Sequence, residues 1–153
     1  MFEPDDLDFL DEQRVARLGT ADAAGHPYLV PVCFARLGDR LYVPIDAKPK
    51  RGEPRNLKRL RNIRERPEAA LLLDRFDEDW SRLRWLLIRA DALVLVAGAE
   101  RAAALGALER RYGQYAAMGL GSLGLPVIAL EPRSFSLWAA EGSLPADSPP
   151  APQ

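Results

Sequence analysis

The sequence predicts an α+β, mainly β fold in which an antiparallel sheet closes on itself and helices pack outside it. Strand-like segments occur in groups, with three before the first internal helix and two after it. Clustered strands of this kind favour a closed antiparallel sheet. A doubly wound parallel sheet would need a helix between nearly every pair of strands, and that alternation is missing from this sequence.

The first third of the chain reads as a helix followed by three strands. A short helix begins near Pro4, because acidic residues are concentrated within residues 1–13, where a helix N-terminus favours them. The strands cover residues 15–20, 26–37 and 40–46, which are rich in Val, Leu, Tyr and Phe and are separated by turns that contain glycine. This stretch therefore predicts a β-meander.

The remainder alternates helices and strands. Apolar residues at three-residue spacing predict an amphipathic helix over residues 56–66, which Pro67 ends. The later elements are a strand at 69–74, a strand at 83–96 with a charged interruption at 89–91, a helix at 99–112, a flexible glycine-containing loop from 113 to 124, and a broken strand at 125–130 and 134–140. We expect one domain over residues 1–142 and a disordered Pro/Ser-rich tail at 143–153.

Composition narrows the classes of function. The 21 basic and 22 acidic residues nearly cancel, so no overall field favours nucleic acid or a membrane surface. The chain starts without a secretory signal, and its apolar stretches are too short and too charged to span a bilayer. The single cysteine, Cys33, excludes an intramolecular disulfide. The cytoplasm is the expected location.

One local cluster of charge stands out. Residues 48–66 contain nine basic and two acidic residues, in a chain whose net charge is −1. The cluster starts in a Gly/Pro loop and continues into the predicted helix, so backbone N–H groups would add to the side chains in binding a phosphate or carboxylate. We assign anion binding to Lys48, Lys50 and Arg51 in the loop. The arginines of the helix are interpreted as its solvated face.

The other polar motifs are weaker. His26, the only histidine, is interpreted as a turn residue, and Cys33 as an inert thiol in a strand. Three consecutive acids at residues 77–79 point in different directions, which suits a solvated turn better than a cation site. No constellation of side chains suffices for catalysis and no metal site is predicted, so an enzyme of this sequence would depend on a cofactor.

Six segments of the sequence, taken in their order along the chain, together carry a resemblance to a known family. They are RLGTADAAGHPYLVPV at 17–32, GDRLY at 38–42, DAKPK at 46–50, LKRLRNI at 57–63, RPEAALLLD at 66–74 and DEDWSRL at 77–83. Together they resemble the pyridoxamine 5'-phosphate oxidase-like superfamily over residues 14–138. The segments at 46–50 and 77–83 are most similar to its branch of probable coenzyme F420-dependent enzymes.

The resemblance implies a Greek-key, FMN-binding type of split β-barrel that forms a homodimer with cofactor clefts at the subunit interface. It implies that Lys48 and Lys50 meet the cofactor phosphate, and that Pro31 and Val32 lie along its ring system. The remaining implied site residues are Trp80 and Arg84 in the cleft wall and Trp138 near the dimer interface, each with ordinary packing as an equal alternative.

One departure bears on the choice of cofactor. Flavin oxidases of the superfamily carry further Arg and Lys phosphate contacts on the second strand, and residues 28–34 supply neither. The expected function is therefore an F420-dependent oxidoreductase that transfers a hydride to a small organic substrate. The alternatives are an FMN-dependent enzyme on the same scaffold, or a protein that binds flavin, deazaflavin or haem without turnover.

Overall fold

The computed structural model of this chain describes residues 2–45 and 53–140. These two stretches form four α-helices and seven strands. The helices are α1 (Pro4–Glu12), α2 (Lys58–Glu65), α3 (Ala99–Arg111) and α4 (Gly113–Met118). The strands are β1 (Ala16–Ala21), β2 (Pro27–Val32), β3 (Ala35–Leu37), β4 (Arg40–Pro44), β5 (Glu68–Arg75), β6 (Arg84–Leu95) and β7 (Val127–Ala139).

The strands form one antiparallel sheet in the order β2-β1-β5-β6-β7-β4-β3. Its two edges, β2 and β3, are separated in the chain by Cys33 and Phe34 alone. Three residues of extended chain span at most about 11 Å, so the two edges lie close together. The sheet therefore curls into a barrel that is split between β2 and β3, which confirms the predicted fold class.

The prediction of a single strand over residues 26–37 is wrong, because the chain changes edges in the middle of it. Phe34 lies at the break and is fully buried. Its backbone N–H donates to the Tyr112 hydroxyl at 3.2 Å, and its carbonyl oxygen lies 2.9 Å from the same hydroxyl. A side chain of the helical region thus satisfies the backbone groups that a neighbouring strand would otherwise bind.

Two later predictions are also corrected. Residues 113–124 are not a loop: α4 and a 3-10 turn at Leu120–Ser122 pack against α3, with Tyr115 and Leu120 buried. The last strand is continuous rather than broken. Ser134 pairs with Arg89 and Pro132 with Ala90, so Arg133 is the extra residue of a β-bulge. The bulged residue, Arg133, donates to Asp91 in the charged interruption of β6.

Opposite faces of the sheet have different roles, because successive side chains on a strand point to opposite sides. The inward face is apolar and closed by α1 and α2. The largest fully buried side chains of this core include Leu18, Leu71, Leu73, Leu86 and Ile88 from the strands and Phe9, Leu10 and Leu60 from the helices. On the outward face, α3 and α4 cover the end of the sheet formed by β3 and β4. No described helix covers the outward face of β2, β1, β5 and β6.

Candidate functional site

The uncovered part of the sheet, which we call the open face, carries the candidate site. The register of the strands places Leu29, Gly19, Ala70 and Arg89 side by side on four neighbouring strands. Two residues further along the strands, about 7 Å away, a second row consists of Pro31, Arg17, Leu72 and Leu87. Two adjacent depressions lie over these rows.

The first depression, here named the arginine groove, has a volume of about 620 Å³. Its floor is Gly19 and Ala70, the smallest side chains of the first row. Its lining residues are Gly19, Thr20, Ala21, Pro27, Tyr28, Leu29, Arg66, Glu68, Ala69, Ala70, Arg89, Ala90, Arg133 and Ser134. This volume lies within the usual range of small-molecule sites.

The arginines of the groove differ in their partners. Arg133 donates to Asp91 through Nε at 2.6 Å and contacts Glu68 at 3.4 Å. The hydrogen bonds and charge of Asp91, with a smaller effect of Glu68, raise the pKa of Arg133 above its ordinary value. Arg66 donates to the carbonyl oxygen of Ala23 at 3.3 Å. Arg89 is exposed and has no carboxylate partner within the described residues.

The second depression, the tryptophan depression, is more apolar and has a volume of about 470 Å³. Its lining residues are Arg17, Leu72, Asp74, Trp85 and Leu87. Arg17 is neutralised there by Asp74, whose Oδ1 lies 2.8 Å from its Nη1. Trp138 is the register partner of Trp85, so the predicted interface residue belongs to this outward surface.

Pro31 and Val32 were predicted to contact one ring, and the structure places their side chains on opposite sides of β2. Pro31 is exposed, borders the tryptophan depression and is the register partner of Arg17. Val32 is 7% exposed and packs in the core. Only the backbone of Val32 is therefore available to a ligand on the open face.

Trp80 and Arg84, the predicted cleft-wall residues, lie apart from both depressions. Trp80 is 70% exposed in a 3-10 turn at Trp80–Arg82. Arg84 lies on the inward face of β6, where its Nη2 donates to Asp6 at 3.1 Å and its guanidinium lies 4.7 Å from the Phe9 ring centroid. The structure thus gives Arg84 a partner in α1. Lys48, Lys50 and Arg51 lie outside the described residues, as does the predicted tail at 143–153.

His26 lies at the end of the groove, next to Pro27. Its Nδ1 is 3.0 Å from Asp22 Oδ2, and Asp22 Oδ1 accepts from the backbone N–H groups of Ala24 and His26. The backbone and ring of His26 lower the pKa of Asp22 well below its ordinary value. The imidazole is thereby oriented with Nε2 directed away from its carboxylate partner.

The sequence prediction missed the groove residues Gly19, Arg89 and Arg133. A signal existed for Arg89, since it interrupts an apolar strand and has the outward parity of Trp85 and Leu87. The sequence contains no such signal for Arg133, because the outward position of its side chain depends on the bulge in β7. Over the described stretches, no helix is long and apolar enough to cross a bilayer, and no cluster of His, Cys, Asp and Glu is arranged to hold a metal ion.

Comparison with known proteins gives the family. Residues 2–139 match the family described as Pyridoxamine 5'-phosphate oxidase, and the chain belongs to that family. No curated protein matches the chain. The family assignment agrees with the curled antiparallel sheet.

Solved structures support the same fold. The conserved hypothetical protein Rv2991 from Mycobacterium tuberculosis is 16% identical with a TM-score of 0.74, and the match covers 96% of this chain and 94% of that one. HutZ, the haem storage protein from Vibrio cholerae, is 20% identical with a TM-score of 0.69 and coverages of 90% and 93%. A FAD-binding protein from Mesorhizobium loti is 15% identical with a TM-score of 0.64 and coverages of 86% and 87%. At these identities the likeness shows the fold alone.

Proposed function

We propose that this protein is a coenzyme F420-dependent oxidoreductase that binds the deazaflavin on its open face and transfers a hydride to a small organic substrate. The observation that carries the proposal is the open face itself: a member of this family presents a largely apolar surface on which Arg89 has no carboxylate partner among the described residues. Such a surface suits an aromatic ring system with an anionic substituent. When bound, a reduced deazaflavin supplies the hydride.

The described residues fit a flat cofactor. The tryptophan depression offers Leu72, Leu87 and Trp85 to a ring system, and Pro31 borders it on the edge strand. In this proposal Lys48, Lys50 and Arg51 hold the phosphate. The choice of a deazaflavin over FMN is based on the sequence segments at 46–50 and 77–83 and on the lack of basic residues at 28–34.

We propose also that the protein is a homodimer in which a second copy covers the open face and encloses the cofactor clefts. Leu29 is 73% exposed and Leu72 is 36% exposed on this face, and Trp85 and Trp138 adjoin them. Contiguous apolar surface of this kind marks interaction sites. Analytical ultracentrifugation tests the proposal: a dimer that becomes monomeric on Leu72→Glu supports it, and a wild-type monomer contradicts it.

Cofactor choice is tested by fluorescence titration of the purified protein with coenzyme F420, with FMN titrated in parallel. We expect saturable binding of F420 in the low-micromolar range and much weaker binding of FMN. The variant Lys48→Ala with Lys50→Ala should weaken F420 binding at least tenfold, because each charge-assisted contact contributes about 1.5–3 kcal/mol. The variant Arg61→Ala with Arg110→Ala removes the same charge elsewhere and should bind normally.

The outcomes separate the candidate cofactors. A preference for FMN would assign the protein to the flavin-dependent enzymes of the family. Unchanged affinity of the double lysine variant would remove the 48–51 loop from the site. Binding of neither compound would contradict the proposed function.

A second candidate function, haem binding without turnover, is favoured by the geometry of His26. A histidine that ligates iron commonly donates its other ring nitrogen to a carboxylate, and His26 already has that partner in Asp22. Because the chain contains one histidine, His26→Ala is a clean test by absorbance titration with haemin. A haem spectrum that is lost in this variant would favour the second candidate, and its persistence would exclude His26 as the ligand.

A further inference from the structure

Three arginines in and just before α2 carry charge that the fold leaves largely unneutralised. Arg55, Arg61 and Arg64 are all exposed, and neither Arg61 nor Arg64 has a carboxylate partner among the described residues. Arg55 lies 3.6 Å from Glu53, and its Nη2 donates to the carbonyl oxygen of Gly124 at 3.0 Å. Within the described stretches, Glu53 is therefore the one carboxylate in ion-pair distance of the three guanidinium groups.

The three side chains, which we call the α2 triad, lie close together. Arg61 and Arg64 are three positions apart on α2, which places their Cβ atoms about 5–6 Å apart on one helix face. Nη1 of Arg64 donates to the carbonyl oxygen of Arg55 at 3.2 Å, so Arg64 reaches back to the turn before the helix. Like charges at neighbouring positions of a helix face destabilise it, so the stability of α2 does not explain the triad.

Two members of the triad are oriented by backbone carbonyl groups. Arg55 and Arg64 each donate one hydrogen bond of this kind, and the other N–H donors of each planar guanidinium stay available to a ligand. A carbonyl oxygen orients a guanidinium without neutralising its charge. Guanidinium groups that are oriented and still charged suit phosphate oxygens, which they bind through paired N–H donors.

Acidic groups on both sides of the triad limit the length of a ligand. Glu53 lies beside Arg55, and Glu65, one position after Arg64, accepts from the backbone N–H of Ala23. A long polyanion laid along α2 would meet both carboxylates. A compact one needs only the short surface that carries the triad.

We propose that the α2 triad binds a compact, soluble compound that carries two or more linked phosphate groups. The opposite side of α2, with Leu60 and Ile63, packs into the core, so the triad faces solvent and not the open face. Binding there does not depend on the proposed function. Because the contact is electrostatic and exposed, it should weaken as salt is added.

The experiment is isothermal titration calorimetry of the full chain without cofactor, in a phosphate-free buffer of low ionic strength. The probes are inorganic phosphate, pyrophosphate and tripolyphosphate, with a short DNA duplex as a source of phosphodiester groups. We expect tripolyphosphate to bind tenfold or more tightly than phosphate, because linked phosphates can contact more than one guanidinium at once. The duplex should bind more weakly than tripolyphosphate.

Two variants and one control assign the binding to the triad. Arg61→Gln with Arg64→Gln should weaken tripolyphosphate binding at least tenfold. Arg64→Lys keeps the charge without the planar fork and should lose less. Arg82→Gln with Arg110→Gln removes the same charge from exposed positions elsewhere and should bind tripolyphosphate as the wild type does.

The proposal would be overturned by equal affinity for phosphate and tripolyphosphate, by wild-type binding in the double α2 variant, by an equal loss in the control, or by no binding at millimolar probe concentrations. Tighter binding of the duplex would overturn the assignment to a compact ligand. Displacement of bound tripolyphosphate by F420 or FMN would also overturn the proposal, since the triad would then belong to the cofactor site. Failure of F420 binding with intact tripolyphosphate binding would contradict the proposed function and support the assignment of the triad.

Discussion

Arg84 and Arg89 are five residues apart on β6 and face opposite sides of the sheet. The side chain of Arg84 is 15% exposed, bonded to Asp6 and stacked on Phe9, so it fixes α1 across the end of the barrel. Arg89 is exposed and has no carboxylate partner among the described residues. The same residue type on one strand therefore stabilises the fold at one position and remains available to a ligand at the other.

The contrast extends to the two sides of the sheet. Buried polar side chains bond within the fold: Asn62 donates to Thr20, and the Tyr112 hydroxyl accepts from the backbone N–H of Phe34. On the open face, the polar side chains are exposed and form ion pairs, such as Arg17 with Asp74 and Arg133 with Asp91. Substitutions on the inward side should therefore cost stability, and those on the open face should change binding.

The largest expected effect on stability is that of Arg84→Ala. It would leave Asp6, whose side chain is 7% exposed, without its cation, and breaking a buried ion pair costs about 3 kcal/mol or more. Urea denaturation should show that loss for Arg84→Ala and a change within about 0.5 kcal/mol for Arg89→Ala. Arg84→Lys keeps the charge without the planar stack on Phe9 and should fall between them.

Equal losses for the two alanine variants would contradict the comparison. In that case Arg89 would have a structural role, and its availability to a ligand would no longer explain its position. A loss of unfolding free energy confined to Arg84→Ala would show that, of these two arginines of β6, only Arg84 stabilises the fold.

Much of the fold could be predicted from the sequence, because local patterns determine it. Apolar strands bounded by glycine turns, and the amphipathic spacing of Leu60 and Ile63, required no tertiary information. The break at Phe34 could not be predicted in the same way, because it depends on the hydroxyl of Tyr112, which is 78 residues away in the chain.

The candidate site was less accessible to prediction, since it depends on strand register. The pairing that sets Gly19 beside Ala70 and Ala70 beside Arg89 joins three separate segments of the chain. The density of basic residues indicated that Lys48 and Lys50 bind an anion, and this assignment stays a prediction because both lie outside the described residues. The partner of Arg84 lies in α1, 78 residues away in the chain, so no local pattern separates Arg84 from a ligand-binding arginine.

The next effect is that of Tyr112→Phe. It removes the hydroxyl that binds both the N–H and the carbonyl of buried Phe34 at the point where the chain changes edges. An unsatisfied buried backbone group costs about 1–3 kcal/mol, and we expect a loss of about 2 kcal/mol in chemical denaturation. Tyr28→Phe is the matched control, because no described group bonds the Tyr28 hydroxyl. A wild-type Tm for Tyr112→Phe would show that water replaces the hydroxyl.

A smaller effect is expected at the contact between α2 and β1. Asn62 is fully buried and donates to Thr20 Oγ1 at 3.0 Å, and its own Oδ1 has no partner among the described residues. Asn62→Leu should cost about 1 kcal/mol, since the Thr20 hydroxyl loses its donor. Adding Thr20→Val removes the hydroxyl that has lost its donor. The unfolding free energy of the double variant should then lie within about 0.5 kcal/mol of the wild-type value. A double variant less stable than Asn62→Leu would contradict this account.

The smallest effect should come from the outward turn that holds His26, and it should depend on pH. Hydrogen bonds from His26 lower the pKa of Asp22 in the folded state, whereas an unfolded Asp titrates near about 3.9. A carboxyl whose folded pKa is lowered stabilises the protein above the unfolded pKa, and this contribution is lost as the pH falls below it. The difference in unfolding free energy between the wild type and Asp22→Asn should therefore shrink as the pH falls from about 5 towards 3. Asp8→Asn removes an exposed carboxylate with no described hydrogen-bond partner and controls for the change in net charge. A difference that grows as the pH falls from about 5 to 3 would contradict this account.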